Sequence, residues 1–521
     1  MKKAVFSLIF VISVLVSLYY GFQKSGFHED EYYTYFSSNR SLGLYQPDRQ
    51  WQDRQTILDE FTVKPGEGFN YGLVKLVQSW DVHPPLYYCI FHTLCSFVPG
   101  TFTKWTGLLT NLIAFAIAYV FMCLLMERLK IPFPVMVLTL VFWGLNPQTV
   151  SCNMLIRMYA FLGAAIIACG YYHVKLIQDY DNNSLELKAF LVKSLLPIMV
   201  VSYMGFLVQY FYIFFFITIG AATSVYIVFV RKDIRNGIVY VTGCAISLGL
   251  AVLTYPASLR HMFGGYRGTG ASGSFFDIAN TGLRLSFFVG LLNDFVFSGG
   301  LIIIIMMIIL GLMLRLTGKQ TKKRSQKRQR PEVVILAIGA VSYFLLTSKT
   351  ALLVGSASNR YEMPIYGLLI MLIFLDVNYV LTDLGNPVLI YGFYFIMIAL
   401  LIKGHTYDKN VLFLYQEDRE KIAYATEHED EIAVVMFNPA TAHNVWRLTD
   451  ELLCYPKVFY MDEENLDPIT EERIIAADRI ILYAADDDCQ QQAFANLLQS
   501  TGLSVMSSID TEDMWTTYEV N

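Results

Sequence analysis

Long apolar runs alternate with polar segments over about the first 400 residues, and the pattern then changes. Each run is close to the roughly 20 residues that a helix needs to cross a membrane. A further apolar run, 86–98, is too short to span and is expected to lie at the membrane surface. The pattern predicts eleven spanning helices, at residues 4–20, 105–126, 134–150, 158–175, 190–205, 209–230, 237–254, 299–316, 333–347, 364–380 and 387–402.

Residues 404–521 are polar and carry short apolar runs of a different kind. These predict three strands, separated by helical patterns, and alternating strands and helices favour a small α/β domain with a mostly parallel sheet. No Gly-rich phosphate-binding motif follows a strand, so a nucleotide-binding module is not predicted. The predicted strands are 431–437, 457–461 and 479–484, and the helical patterns are 442–453, 471–477 and 489–500.

Composition agrees with a membrane protein of two parts. The chain is 55% hydrophobic, only 16% charged, and has a mean hydropathy of +0.44. Its net charge of -5 argues against a nucleic-acid partner, because no broad basic surface is present to neutralise phosphates. We therefore expect an α-helical polytopic membrane domain at 1–403 and a soluble α/β domain at 404–521.

Loop charges set the expected orientation in the membrane. Lys2 and Lys3 place the N-terminus in the cytoplasm under the positive-inside rule, so the loop 21–84 is extracytoplasmic. The basic run 315–330 (RLTGKQTKKRSQKRQR) is typical of a cytoplasmic loop. With 86–98 at the surface, all loops agree, and the C-terminal domain is expected outside.

Four polar clusters fall on the predicted outer side, each beside an apolar run. Each has a plain structural explanation when taken alone: a solvated helix cap, an interfacial helix start, a snorkelling arginine and an interfacial anchor, in that order. The clusters are Glu29-Asp30-Glu31, Asp81 with His83, Arg157 with Tyr159, and Arg360 with Tyr361 and the upstream Lys349.

Together the clusters point to chemistry. Two carboxylates and two or more arginines on one side of a membrane suit a reaction with a phosphate leaving group and a hydroxyl acceptor. Arginine binds phosphate through a planar fork of donors and stabilises the charge that develops on it. A carboxylate can take the proton of the attacking hydroxyl.

The order of these motifs resembles a known superfamily. An Asp-Glu pair in the first outer loop (30–31) is followed by HPPLYY (83–88), IRMYAFLG (156–163) and NRYEMP (359–364). This order is similar to that of the GT-C membrane glycosyltransferases, in particular the bacterial relatives of protein O-mannosyltransferases and of the aminoarabinose transferase that acts on lipid A. The resemblance covers residues 1 to about 403 and leaves the tail without a named relative.

The resemblance implies roles for individual residues. Asp30 would deprotonate the acceptor hydroxyl, with Glu31 in support. Arg360 and Arg157 would hold the lipid phosphate, and His83 would line the site. The remaining predicted substrate contacts are Tyr159, Tyr361 and Lys349. A polyprenyl-phosphate sugar would be the donor, attack would invert the anomeric carbon, and no cofactor is predicted, although some members of the superfamily use a divalent metal.

Several alternatives stay open at this point. A lipid or polysaccharide transporter, or a non-catalytic sensor or scaffold that presents the tail, would also be a polytopic membrane protein. The Gly/Ser-rich stretch 266–274 is either a plain outer loop or a mobile lid. The acidic run 486–488 is either a solvated turn or a cation site. Neither the sugar nor the acceptor (protein, wall polymer or lipid) is identified by the sequence.

Overall fold

The computed structural model describes residues 2–40, 47–182, 187–316, 330–486, 489–512 and 514–521. It divides into two compact units, which are described separately. The first consists of Met1–Gly21, Gln78–Ile90 and Gly107–Leu412, and the second of Phe22–Val77, Phe91–Thr106 and Phe413–Asn521. Most of the predicted basic loop 315–330 and two residues of the acidic run 486–488 lie outside the described residues.

The first unit is a bundle of apolar helices. Within the described ranges nine helices are long and apolar enough to cross a membrane, and two bent helix pairs raise the number to as many as eleven. The predicted polytopic helical fold is therefore confirmed, and the chain is a multi-pass membrane protein. The nine helices are Lys2–Gln23, Lys104–Arg128, Tyr159–Tyr180, Leu187–Val208, Tyr212–Val230, Ile234–Thr254, Pro331–Thr350, Met363–Asp383 and Pro387–Thr406.

One predicted span is broken in its middle. The apolar run 134–150 forms two helices, Phe133–Gly144 and Pro147–Met154, which are bent by 46°. Asn146 caps the second helix, because its side chain accepts a hydrogen bond from the backbone N–H of Gln148 at 3.0 Å. Pro147 then occupies the first helical turn, where a missing N–H does not matter.

The Gly/Ser-rich stretch is not a loop, and the prediction of an outer loop there was wrong. Tyr266–Phe276 is an α-helix, and Ile278–Val296 follows it with a bend of 79°. Glycines lower helix propensity, which is why the sequence suggested a loop, but tertiary contacts override that preference. Lys349, expected at the substrate, holds this bend: its Nζ donates to the hydroxyl of Thr281 at 2.8 Å and to the Asn280 side chain.

The second unit contains a six-stranded sheet in the order β1-β3-β2-β4-β6-β5. Only its centre is parallel, where β2 pairs with β3 and β4, and the outer pairs are antiparallel. The predicted mostly parallel sheet is thus corrected to a mixed one. The strands are β1 Gln50–Asp53, β2 Ile432–Phe437, β3 Lys457–Asp462, β4 Ile480–Ala485, β5 Met506–Glu512 and β6 Trp515–Val520.

Strand β2 shows how this sheet is buried on both faces. Ala433, Val435 and Phe437 pack into one apolar cluster, whereas the alternate residues Val434 and Met436 pack into another. Successive side chains of a strand point to opposite faces, so a continuous apolar run is what a doubly covered strand requires. Short helices cover the sheet: Asp418–Glu427, Pro439–Leu448, Thr449–Leu452, Glu472–Ile475 and Gln490–Thr501.

The first outer loop contributes to this second unit. Its strand β1 pairs antiparallel with β3 of the tail, Trp51 opposite Phe459. Its helices, Glu29–Asn39, Arg54–Asp59 and Tyr71–Gln78, lie mainly in the same unit. The sequence had assigned the whole loop to the membrane domain, and the boundary predicted at residue 403 stays a prediction.

Candidate functional site

Three residues predicted from separate motifs meet in the membrane unit. His83 Nδ1 lies 2.9 Å from Asp81 Oδ2, and the Arg157 guanidinium donates to His83 Nε2 at 3.1 Å. Since Nε2 accepts from arginine, the ring proton of His83 belongs on Nδ1, where it is donated to Asp81. The Arg157 guanidinium also lies 5.9 Å from the Tyr88 ring centre and is almost fully buried.

The electrostatics of this group favour a fixed negative charge on Asp81. Burial alone would raise the pKa of Asp81, but the interaction with the His83 ring, including its hydrogen bond, and the positive charge of Arg157 outweigh it and lower the pKa to about 2. Asp81 is therefore ionised at neutral pH and holds the His83 ring in one orientation. A buried arginine held by an oriented imidazole is a suitable binding group for phosphate.

A further set of hydrogen bonds in the membrane unit was not predicted from the sequence. Tyr210 Oη donates to His261 Nδ1 at 3.0 Å, and His261 Nε2 lies 3.2 Å from the Ser79 carbonyl oxygen, which also accepts from Arg260. Burial lowers the pKa of His261, which agrees with a neutral ring that accepts on one nitrogen and donates on the other. Tyr210 stands in an apolar stretch of sequence, where it resembles an ordinary core residue, and His261 lies in the segment between two predicted spans, with no motif around it.

The NRYEMP motif forms its own aromatic group in the same unit. Arg360 is buried, and its guanidinium lies 5.1 Å from the Tyr361 ring centre and donates to the Tyr361 hydroxyl at 3.3 Å. Tyr159 and Phe211 meet Tyr361 edge to face, at 5.8 and 5.7 Å. Tyr159, Arg360 and Tyr361 are thus brought together. Lys349 contacts the helix bend, and its predicted role in substrate binding stays a prediction.

An apolar cavity adjoins these aromatic residues. Its lining is mostly hydrocarbon. It shares Tyr159 with the aromatic group and reaches Met363 and Pro364, which directly follow the NRYE residues. The other lining residues are Phe115, Ala118, Trp143, Thr149, Cys152, Asn153, Ala160, Gly163 and Ile167.

The acidic cluster opens the helix Glu29–Asn39 in the second unit. His28 caps this helix, because its Nδ1 accepts from the backbone N–H of Asp30 at 3.0 Å. The Asp30 side chain is 25% exposed. Three acids in the first turn also interact favourably with the positive end of the helix dipole.

Glu31 is held differently from Asp30. Its side chain is fully buried, pairs with the buried Lys24 ammonium at 2.9 Å, and accepts from the His28 backbone N–H at 2.6 Å. These contacts complete a capping box and fix the start of the helix. The catalytic role predicted for Glu31 stays a prediction, and its contacts give it a structural task.

We expect Glu31→Gln to lower protein stability by about 3–5 kcal/mol, because it would leave the Lys24 charge buried without a partner. Thermal unfolding of the purified protein measures this as a fall in Tm. Glu29→Gln is the matched control, since Glu29 is exposed in the same helical turn. Equal Tm values for the two variants would show that the Lys24–Glu31 pair does not stabilise the protein.

Two acids lie in the tail near this helix, the half-buried Asp450 and the buried Glu451. Burial and the negative charge of Asp418 raise the pKa of Asp450 to about 7. Burial and the negative charges of Asp450 and Asp418 raise the pKa of Glu451 to about 8. Both groups therefore bind protons in the folded protein at pH values where the unfolded chain has released them.

The free energy of unfolding should therefore fall as the pH rises from about 4 to about 8, because the folded state binds more protons throughout that window. Asp450→Asn should reduce this fall and raise Tm above the wild-type value at pH 8.5. Thermal unfolding at pH 5 and pH 8.5 tests this, with Asp467→Asn as the exposed control. An unchanged pH dependence in Asp450→Asn would contradict the assignment of the buried proton.

No metal-binding group emerges from the described part of the chain, where no three His, Cys, Asp or Glu side chains come close enough to hold an ion. The expectation of a reaction without a cofactor stays a prediction.

Comparison with known proteins identifies the fold. No family model and no curated protein matches the sequence. A solved structure of ArnT from Cupriavidus metallidurans bound to undecaprenyl phosphate is similar to 98% of this chain and 97% of its own, with a TM-score of 0.50 and 12% identity. The chain has the GT-C fold.

Two further solved structures match with lower TM-scores. Apo ArnT from Cupriavidus metallidurans has a TM-score of 0.46 and 11% identity over 98% of this chain and 97% of its own. The archaeal oligosaccharyltransferase AglB from Archaeoglobus fulgidus was solved in complex with an inhibitory peptide and a dolichol-phosphate. Its TM-score is 0.47 and its sequence identity 11%, over 92% of this chain and 69% of its own. The predicted GT-C resemblance is confirmed by the ArnT match at the level of the fold.

Proposed function

We propose that this protein is a membrane glycosyltransferase that moves a sugar from a polyprenyl-phosphate donor to an acceptor hydroxyl at the outer face of the membrane. The observation that carries the proposal is the hydrogen-bonded group of Asp81, His83 and Arg157, in which the guanidinium is buried. A fold shared with ArnT would be compatible with many activities, whereas a buried guanidinium held by an oriented imidazole is chemically suited to bind a phosphate.

The donor lipid fits the remaining features of the membrane unit. The Arg157 and Arg360 guanidinium groups would bind the phosphate, and His83 would line the site. Tyr159 and Tyr361 present flat faces suited to a sugar ring or to the first isoprene units. The apolar cavity that begins at Tyr159 and Pro364 would hold part of the polyprenyl chain, because its lining is mostly hydrocarbon.

The reaction is a direct displacement. The acceptor hydroxyl oxygen attacks the anomeric carbon, the bond from that carbon to the phosphate oxygen breaks, and its electron pair leaves with the polyprenyl phosphate. Asp30 takes the hydroxyl proton. The arginines stabilise the charge on the leaving phosphate, which grows as the bond breaks. One displacement inverts the configuration of the anomeric carbon.

We base the proposed orientation in the membrane on the loop charges. Lys2 and Lys3 would keep the N-terminus in the cytoplasm, so that the loop 21–84 and the C-terminal domain face outwards. Lipid-linked sugars presented at that face would then be available to acceptors in the cell envelope.

Transfer of a radiolabelled sugar tests the proposal. The purified protein in detergent would be given undecaprenyl phosphate carrying labelled mannose, glucose or 4-aminoarabinose, together with an extract of envelope lipids, polymers and proteins. We expect label to reach the extract with the wild type and not with Asp30→Asn or Arg360→Ala. Equal transfer by both variants would overturn the assigned residues, and no transfer of any sugar would favour a transporter.

A further inference from the structure

We infer that the C-terminal tail positions the acidic helix, through a clamp formed by Phe413, Tyr415, Asp418 and Arg447 around the turn at residues 24–28. This turn, the entry turn, leads directly into the helix Glu29–Asn39 that carries Asp30. The expected effect of the clamp on catalysis rests on the proposed function. Its effect on the order of the helix Glu29–Asn39 does not. The clamp residues are thereby positioning residues for the proposed base.

Arg447 makes the most direct contact of the clamp. Its guanidinium donates to the Phe27 carbonyl oxygen at 2.5 Å, two residues before the acidic run begins at Glu29. It lies 3.7 Å from the Asp418 carboxylate and 5.2 Å from the Tyr415 ring centre. Because the side chain is only 9% exposed, this charged hydrogen bond is screened little by water.

The segment that starts at Phe413 holds the other end of the entry turn. The Lys24 ammonium donates to the Phe413 carbonyl oxygen at 2.8 Å while it pairs with Glu31 at 2.9 Å. The Ser25 backbone N–H donates to the Leu414 carbonyl oxygen at 2.8 Å. One buried ammonium thus joins the tail to the first turn of the acidic helix.

Steric fit also links Asp418 to the entry turn. A β-carbon added at Gly26 would lie 1.7 Å from Asp418 Oδ2, so only glycine fits there without movement of the carboxylate. The ring of His28, the helix cap, meets Phe413 and Tyr415 edge to face at 5.7 and 6.2 Å. The cap that sets the direction of the helix is therefore packed against the tail.

Two residues of the clamp have strained backbone conformations. Phe413 and Tyr415 have φ angles of 64° and 48°, in the left-handed region that bulky side chains rarely adopt. Such residues cost on the order of 1–3 kcal/mol each and persist where surrounding contacts fix them, often at functional sites. Here the contacts that fix them are those with Lys24, Arg447 and His28.

Arg447→Met tests the clamp in the full-length protein. We expect kcat for sugar transfer to fall by about 10- to 100-fold with the donor KM unchanged, because a shift of about 1 Å in a catalytic group has that effect. Arg447→Lys, which keeps a donor for the Phe27 carbonyl, should recover part of the loss. Gly26→Ala should also lower kcat, because its β-carbon would displace the Asp418 carboxylate from the entry turn.

Hydrogen exchange of the peptide 29–39 supplies a readout that needs no activity. Its exchange should be faster in Arg447→Met and normal in the matched control Arg479→Met, which removes a tail arginine paired with Glu431 and Glu519. Unchanged exchange in Arg447→Met, or equal exchange in both variants, would overturn the inference. If the wild type transfers no sugar, the proposed function fails, and exchange alone still decides whether the clamp exists.

Discussion

Arg157→Met is expected to lower kcat/KM for the lipid-linked donor by about a thousandfold. The substitution removes the buried guanidinium that donates to His83 and that we assign to the phosphate. A thousandfold loss corresponds to about 4 kcal/mol of transition-state stabilisation, within the range measured when one preorganised donor to a developing oxyanion is removed.

Arg157→Lys separates charge from geometry. Lysine would keep a positive charge near Asp81 and preserve the fold, but it lacks the planar fork that binds two phosphate oxygens at once. We therefore expect a loss of about 10- to 100-fold with a normal Tm. Arg267→Met is the control, because Arg267 is exposed and stacks on Tyr266. If Arg157→Met transferred sugar at the wild-type rate, Arg157 would not be a phosphate ligand.

Asp30→Asn is the second change with a large expected effect. Asparagine has nearly the same shape but cannot accept the proton of the hydroxyl, and loss of a general base typically costs about 10²- to 10⁴-fold in rate. We expect kcat to fall within that range while the donor KM and the Tm stay normal. Steady-state kinetics at several donor concentrations measures the two constants separately.

Glu29→Gln and Glu31→Gln complete the comparison within one helical turn. Glu29 is exposed, and we expect little change in either rate or stability. Glu31 pairs with Lys24, so its replacement should lower the Tm. The transfer rate per folded molecule should change little. If Glu29→Gln lost activity and Asp30→Asn kept it, the base would be Glu29 and the assignment to Asp30 wrong.

Much of the fold could be predicted from hydrophobic runs, because a membrane span is specified by composition and length. The strands β2, β3 and β4 were predicted for a related reason, since a strand buried on both faces is a continuous apolar run. Strands β1 and β5 lie at the edges of the sheet and β6 lies next to β5. All three contain polar residues, as in the sequence QWQD of β1, and therefore show no continuous apolar run.

The candidate site was predictable in its motifs and not in its contacts. His83 and Arg157 are 74 positions apart in the chain, and only the packing of helices brings the guanidinium to the imidazole. Tyr210 carried no signal, because a tyrosine in an apolar run is usually a core residue, and His261 belongs to no motif in the segment between two predicted spans. The contacts of Lys349 depend on a helix in a Gly-rich stretch, which local propensity argues against.

The stoichiometry of undecaprenyl phosphate release tests the transferase most directly. The wild-type protein, reconstituted in vesicles with a labelled undecaprenyl-phosphate sugar and an envelope extract, should release one undecaprenyl phosphate for each sugar that reaches an acceptor. Asp30→Asn and Arg157→Met should release almost none, and Arg267→Met should match the wild type. Movement of the intact lipid-linked sugar across the bilayer, with no undecaprenyl phosphate released, would show instead that the protein is a transporter.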